Sequence, residues 1–281
     1  MKYLIFYILI ISSLLPLLAI HEQPNIILIV SDDQGYGDYS FMGNKRLRTP
    51  ALDQLASESV LFKRFYVNAV CSPTRASLMT GRSSYRTGVT DTWLGRSIMK
   101  TEETTLAEVM KGAGYASAIF GKWHLGDSYP YRATDQGFDH SVIHLGGGLG
   151  QPSDHPLNDK RYTDAMLYRN NHPLKSSGFC TDVFFDEGQK WIKKQSDANK
   201  PFFACIMPNA PHSPFHDVPP KEFEYYKNLD WSDHHGSDVD KVAAIYAMVE
   251  NIDQNIARLR QNLRRWKLDK NTILIYMSDN G

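Results

Sequence analysis

The chain has 281 residues, 42% of them hydrophobic, which is enough apolar surface for a sizeable core in one large or two modest domains. Lys plus Arg (31) balances Asp plus Glu (31), so no global field recruits nucleic acid or an anionic membrane. Any affinity for an anion must come from a local site, and function is to be sought in a pocket.

In chain order, Lys2 and the almost unbroken apolar stretch from Tyr3 to Ile20 have the charged start and apolar body of a secretory signal, residues 1–20. The next apolar run, Ile26 to Val30, follows too closely to leave a linker behind a spanning helix. Cleavage near Ala19 and export are therefore expected, with no stable membrane anchor. The absence of any N-x-S/T acceptor leans toward a bacterial periplasmic or secreted protein.

Four short apolar runs read as buried strands: Ile26 to Val30, Ala116 to Phe120, Phe202 to Met207 and Thr272 to Met277. Helical segments alternate with them. Thr49 and Pro50 open an amphipathic stretch through Ser59, and Thr105 with Glu108 forms a capping box for a helix that stops near Gly112. Val183 to Gln195 and Lys241 to Trp266 carry helical periodicity as well. This alternation predicts a mostly parallel sheet covered on both faces, an α/β/α sandwich. Residues 128–180, rich in Gly, Pro, Asp, Asn and His, read as loops and short elements on the rim. The run Gly146 to Gly150 within them reads as a flexible loop and only weakly as a phosphate cradle.

Open parallel sheets place ligands at the carboxyl ends of their strands, and the chemistry-bearing residues fall there repeatedly. Ser31, Asp32 and Asp33 follow the first run, and Gly121, Lys122, Trp123 and His124 the second. Pro211, His212, Ser213 and Pro214 come after the third, and Ser278, Asp279 and Asn280 after the fourth. Asp32, Asp33, Asp279 and Asn280 offer only oxygen, which suits Ca²⁺, with Mg²⁺ as an alternative, better than zinc. Either pair alone would be ordinary turn acids; two pairs at equivalent strand ends point to metal.

Three cysteines leave an odd thiol in an exported chain. A Cys180–Cys205 disulfide is one pairing, although nothing around Cys180 supports it. Cys71 opens CSPTRASLMTGR; Pro73 suits a first helical position and Gly81 a helix stop, so Cys71 is expected just before a short helix, where free N–H groups stabilise anions. A lone cysteine is more often a packing residue than a nucleophile, and its neighbours decide otherwise.

Cys71, Pro73 and Arg75, with Gly81 and Arg82, match the CxPxR signature of the type I sulfatases. SDDQGYGD at 31–38, GKWHLG at 121–126, PHSP at 211–214 and SDNG at 278–281 fall in that family's order. The chain thus resembles a formylglycine-dependent, arylsulfatase-like member of the alkaline-phosphatase superfamily. The resemblance implies that residues 24–281 form the catalytic domain and that a separate maturation enzyme oxidises Cys71 to formylglycine, whose hydrate attacks a sulfate ester. It further implies a cation on Asp32, Asp33, Asp279, Asn280 and the modified Cys71, with Arg75 beside the formylglycine. Lys122 would bind sulfate, His124 would be the base of the elimination step, and His212 would lie near the sulfate and leaving-group oxygen. The substrate would be a sulfated sugar, glycan or aryl compound. His140, His144, His155, His216, His234 and His235 read as structural.

The family has a further lysine downstream of its DN pair, together with later strands and a smaller C-terminal subdomain, and the chain ends at Gly281 before them. An incomplete catalytic domain is therefore expected. Two alternatives stay open: a phosphodiester or phosphonate hydrolase on the same fold, and an inactive truncated homologue that at most binds sulfated glycans.

Overall fold

Strand β1 (Asn25–Ser31) buries Ile27, Leu28, Ile29 and Val30, so both of its faces must be covered. The computed structural model describes residues 23–281 apart from 234, 236 and 237. The expected signal segment and His234 lie outside the described residues.

Six further strands follow: β2 (Ala116–Lys122), β3 (His140–His144), β4 (Met166–Arg169), β5 (His172–Lys175), β6 (Phe202–Met207) and β7 (Thr272–Ser278). They form one sheet in the order β5-β4-β3-β2-β6-β1-β7. The pairs β3–β2, β2–β6, β6–β1 and β1–β7 are parallel, whereas β4 and β5 extend one edge antiparallel. The expected α/β/α sandwich is therefore present. β3 to β5 lie inside the stretch read as loops and short rim elements. β3 is a nearly buried interior strand rather than a rim element.

Helices cover both faces: α1 (Pro50–Glu58), α2 (Cys71–Thr80), α3 (Ser84–Thr87), α4 (Leu106–Gly112), α5 (Cys180–Asp197), α6 (Pro220–Lys227) and α7 (Val239–Arg265). Alternation along each strand splits the core. Ile27, Ile29, Phe120 and Ile206 pack with Leu52 of α1, Phe184 of α5 and Ile252 of α7. Leu28, Val30, Ile119 and Cys205 pack with Ala76 and Met79 of α2 and Ala107 of α4. Each such fully buried aliphatic or aromatic side chain contributes roughly 1.5–3 kcal/mol.

The capping box predicted for α4 is formed, with Thr105 Oγ1 accepting from Glu108 N and Glu108 accepting from Thr105 N. α5 starts three residues before the predicted Val183. No disulfide joins Cys180 to Cys205: Cys180 opens α5, Cys205 lies within β6, and both are free and buried. No described helix is long and apolar enough to cross a membrane.

Candidate active site

Adjacent strands β2, β6, β1 and β7 end on the same rim, so the residues after them converge. Local backbone sharpens the convergence. Asp33 (φ 62°) and His124 (φ 58°) take left-handed conformations immediately past β1 and β2, each at a cost of about 1–2 kcal/mol. Such strain is found where surrounding structure fixes a functional side chain. Gly121 (φ 113°) tolerates no side chain, because a Cβ would lie 1.9 Å from Met207 O on β6.

Cys71 is the first residue of α2, two positions deeper than Pro73 alone suggested, and Gly81 ends the helix in a left-handed cap. The Cys71 thiol is buried, and burial pushes it up, with Lys122 opposing. Its Sγ lies 3.3 Å from Nδ1 of His124, whose Nε2 lies 3.0 Å from the carbonyl of Thr92. A carbonyl only accepts, so Nε2 carries the proton and donates to Thr92 O; Nδ1 then presents a lone pair to Cys71. Burial, followed by Lys122 and Arg75, lowers His124 to about 2. It is a neutral acceptor.

Asp32 and Asp279 are fully buried. Lys122 Nζ donates to both Asp32 oxygens at 2.8 and 2.7 Å. Arg75 Nε donates to Asp279 Oδ2 at 2.9 Å and Nη1 to the Lys122 carbonyl at 2.6 Å, while Nη2 stays 3.9 Å from Asp32. Burial raises Asp32 well above the usual carboxylate value despite Lys122. For Asp279 the same burial is overcome by Arg75, Lys122 and the Asp33 N–H, leaving it lowered. In this structure, then, Lys122 and Arg75 face carboxylates rather than open space.

Ligand atoms of Asp32, Cys71 and Asp279 lie within 4.8 Å of one another. The carboxylate of Asp33 lies outside that cluster; its N–H donates to Asp279 Oδ1 at 3.2 Å, and Asn280 Nδ2 donates to the same oxygen at 3.2 Å. Three carboxylates, Asp32, Asp33 and Asp279, against two cations, with mostly oxygen donors, fit a hard divalent cation. His212 Nε2 is 3.7 Å from Asp33 Oδ2, and its Nδ1–H donates to Ser213 O at 2.6 Å. Burial and then Lys122 lower His212, with Asp33 opposing.

Sequence reading brought every one of these residues to the rim but missed three others. Thr92 acts through a carbonyl that any residue would supply. Tyr162 OH donates to the carbonyls of Asn209 and His212, fixing the segment after β6 from a distant loop. Gln151, beside the two histidines, carries no local motif. His144 is buried at the end of β3 against Phe184, its Nδ1 2.9 Å from Leu145 O.

Buried carboxylates, a helix-borne cysteine and two histidines thus meet at the carboxyl rim of a parallel sheet. The family model described as Sulfatase matches residues 24–281, and the chain belongs to that family. It is 30% identical over 285 residues to N-acetylgalactosamine-6-sulfatase of Sus scrofa, covering 92% of this chain and 50% of that one. With the arylsulfatase of Klebsiella aerogenes it shares 28% identity over 313 residues, 92% to 94% of this chain being matched in the two cases and 67% of the Klebsiella protein. The crystal structure of Ps i-CgsB in complex with k-i-k-neocarrahexaose superposes with a TM-score of 0.77 at 27% identity, covering 92% of this chain and 59% of that one. The chain spans about half the length of the Sus scrofa relative.

Proposed function

We propose that this chain carries the sulfate-ester hydrolase centre of an exported, formylglycine-dependent sulfatase acting on sulfated sugars, glycans or aryl compounds. The reading is carried by Cys71 Sγ at 3.3 Å from His124 Nδ1, beside the buried Asp32 and Asp279. After conversion by a maturation enzyme, the hydrated aldehyde of Cys71 supplies a nucleophilic hydroxyl and a second hydroxyl for eliminating sulfate. A bound Ca²⁺ or Mg²⁺, held by Asp32, Asp279 and Cys71 with Asp33 and Asn280 alongside, supplies polarisation of a sulfate oxygen.

The protein groups follow from their hydrogen bonds. His124, with Nε2–H tied to Thr92 O, accepts the proton of a hydroxyl on residue 71 at Nδ1. Arg75 holds Asp279 in place through Nε. Lys122, paired with Asp32, places positive charge beside the anion. His212 spends its Nδ1–H on Ser213 O, so it donates toward a departing oxygen only when doubly protonated, a state that burial and Lys122 disfavour and that Asp33, 3.7 Å away, supports against them.

Co-expression with a formylglycine-generating enzyme, followed by intact-mass and peptide mapping, should show Cys71 converted from thiol to aldehyde. Cys71→Ala should lose turnover of 4-nitrophenyl sulfate by more than about 10³-fold, whereas Cys180→Ala should keep it. Active protein with an unmodified thiol would overturn the mechanism. A large preference for the phosphodiester of the same phenol would overturn the sulfate assignment.

A further inference from the structure

The rim chemistry leaves the run Gly146–Gly150 unexplained. Gly146 (φ 65°) and Gly150 (φ 70°) turn the chain through conformations glycine tolerates. Gly147 and Gly148 have no positive φ, so their missing side chains answer to space. A Cβ at Gly147 would lie 2.7 Å from Cε1 and 2.9 Å from Nε2 of His124, and 2.7 Å from Oε1 of Gln151. One at Gly148 would lie 3.3 Å from Nε2 of Gln151 and 3.4 Å from Cε1 of His212. The loop backbone at Gly147 therefore crowds His124, whereas at Gly148 it stands at ordinary contact distance from His212, with the Gln151 amide lodged beside both glycines.

The loop is tied down rather than free. Asp127 accepts from Gly146 N at 3.1 Å, Asp154 accepts from Leu145 N at 3.3 Å and Gly150 N at 2.7 Å, and Gln151 N donates to Gly148 O at 3.1 Å. The Gln151 side chain is half-buried yet forms no hydrogen bond among the described residues. An amide with two N–H donors and one acceptor, held on a tied loop that adjoins His124 and His212 and unpartnered among the described residues, is available to a ligand.

We propose that Gln151 is a substrate-contacting residue whose side-chain N–H donates to an oxygen of the sulfate ester seated between His124 and His212. The proposal rests on the reading of this rim as a sulfate-ester site and adds a recognition group to it. The accepting oxygen belongs either to the sulfate oxyanion or to the bridging position of the leaving group; both are acceptors within one ligand.

The test uses the unmatured chain, in which Cys71 keeps its thiol, with Ca²⁺ present, and titrates inorganic sulfate and 4-nitrophenyl sulfate calorimetrically. Gln151→Leu, similar in size but without donors, should weaken binding about ten-fold. Its melting temperature should stay that of the parent, because the side chain has no partner within the fold. Weakening of both ligands assigns the contact to the oxyanion, and weakening of the ester alone assigns it to the bridging oxygen. Unchanged binding of both, or no binding of either by the parent, would overturn the proposal. A matured parent that binds sulfate but hydrolyses no sulfate ester would sink the hydrolase reading and leave this one standing.

Discussion

Lys122 is wholly buried, and both of its side-chain hydrogen bonds go to Asp32. Burial alone would lower the ammonium, but Asp32 and Cys71 raise it. Removing one member of a buried ion pair leaves the other uncompensated, at about 3–5 kcal/mol. Lys122→Met should destabilise by that order, since only Arg75 at 3.9 Å then faces Asp32. The same carboxylates should bind added cation: millimolar Ca²⁺ should raise the melting temperature of the parent and recover part of the Lys122→Met loss. In Asp32→Ala and Asp279→Ala that rise should vanish, and a parent indifferent to Ca²⁺ in differential scanning fluorimetry would count against the cation site. The acids and Lys122 were legible because each follows an apolar run at a strand end. That Lys122 turns onto Asp32 was not, since the facing partner sits 90 residues away.

Among the elements, α1 starts on a partner the local sequence cannot reveal. Thr49, a plausible N-cap, makes no capping hydrogen bond. Instead Asp253 of α7 accepts from Ala51 N at 3.1 Å and Leu52 N at 2.7 Å, pinning the helix dipole's positive end from across the core. Burial outweighs these N–H donors and moves Asp253 from the usual 3.8 to about 6. A carboxyl that binds its proton more tightly folded than unfolded adds stability below the unfolded value, and that stability is lost as pH rises through the folded one. Between about pH 4 and about 6 the parent should therefore lose roughly 2 kcal/mol more than Asp253→Asn does. Urea unfolding at several pH values checks this, and parallel pH profiles for parent and variant would refute it. Local signals served where the interaction is local, as in the Thr105–Glu108 box. β4 and β5 escaped because four-residue, half-exposed strands carry no usable periodicity, and Asp253 because its partners lie 202 and 201 residues away.

Over the whole molecule, the parallel layout was legible because interior strands buried on both faces read as continuous apolar runs. The sheet's edges were not, since edge status depends on what lies alongside. One edge is finished by the β4–β5 hairpin, whose outer strand carries His172 and Lys175. At the other edge, β7 pairs on one side only among the described residues, and Ile273 and Ile275 are 47% and 43% exposed. Val60, Leu61 and Phe62 stand beside them around a cavity of about 380 Å³. A long edge strand with outward isoleucines is a template for pairing with another chain. A formal net charge of zero supplies no electrostatic repulsion to oppose it. The 281-residue chain should therefore self-associate through this edge. Placing cations on it, as Ile273→Lys with Ile275→Lys, should raise the concentration at which light scattering begins by about ten-fold while leaving the far-UV spectrum unchanged. Equal scattering by parent and double variant would show that association, if present, uses another surface.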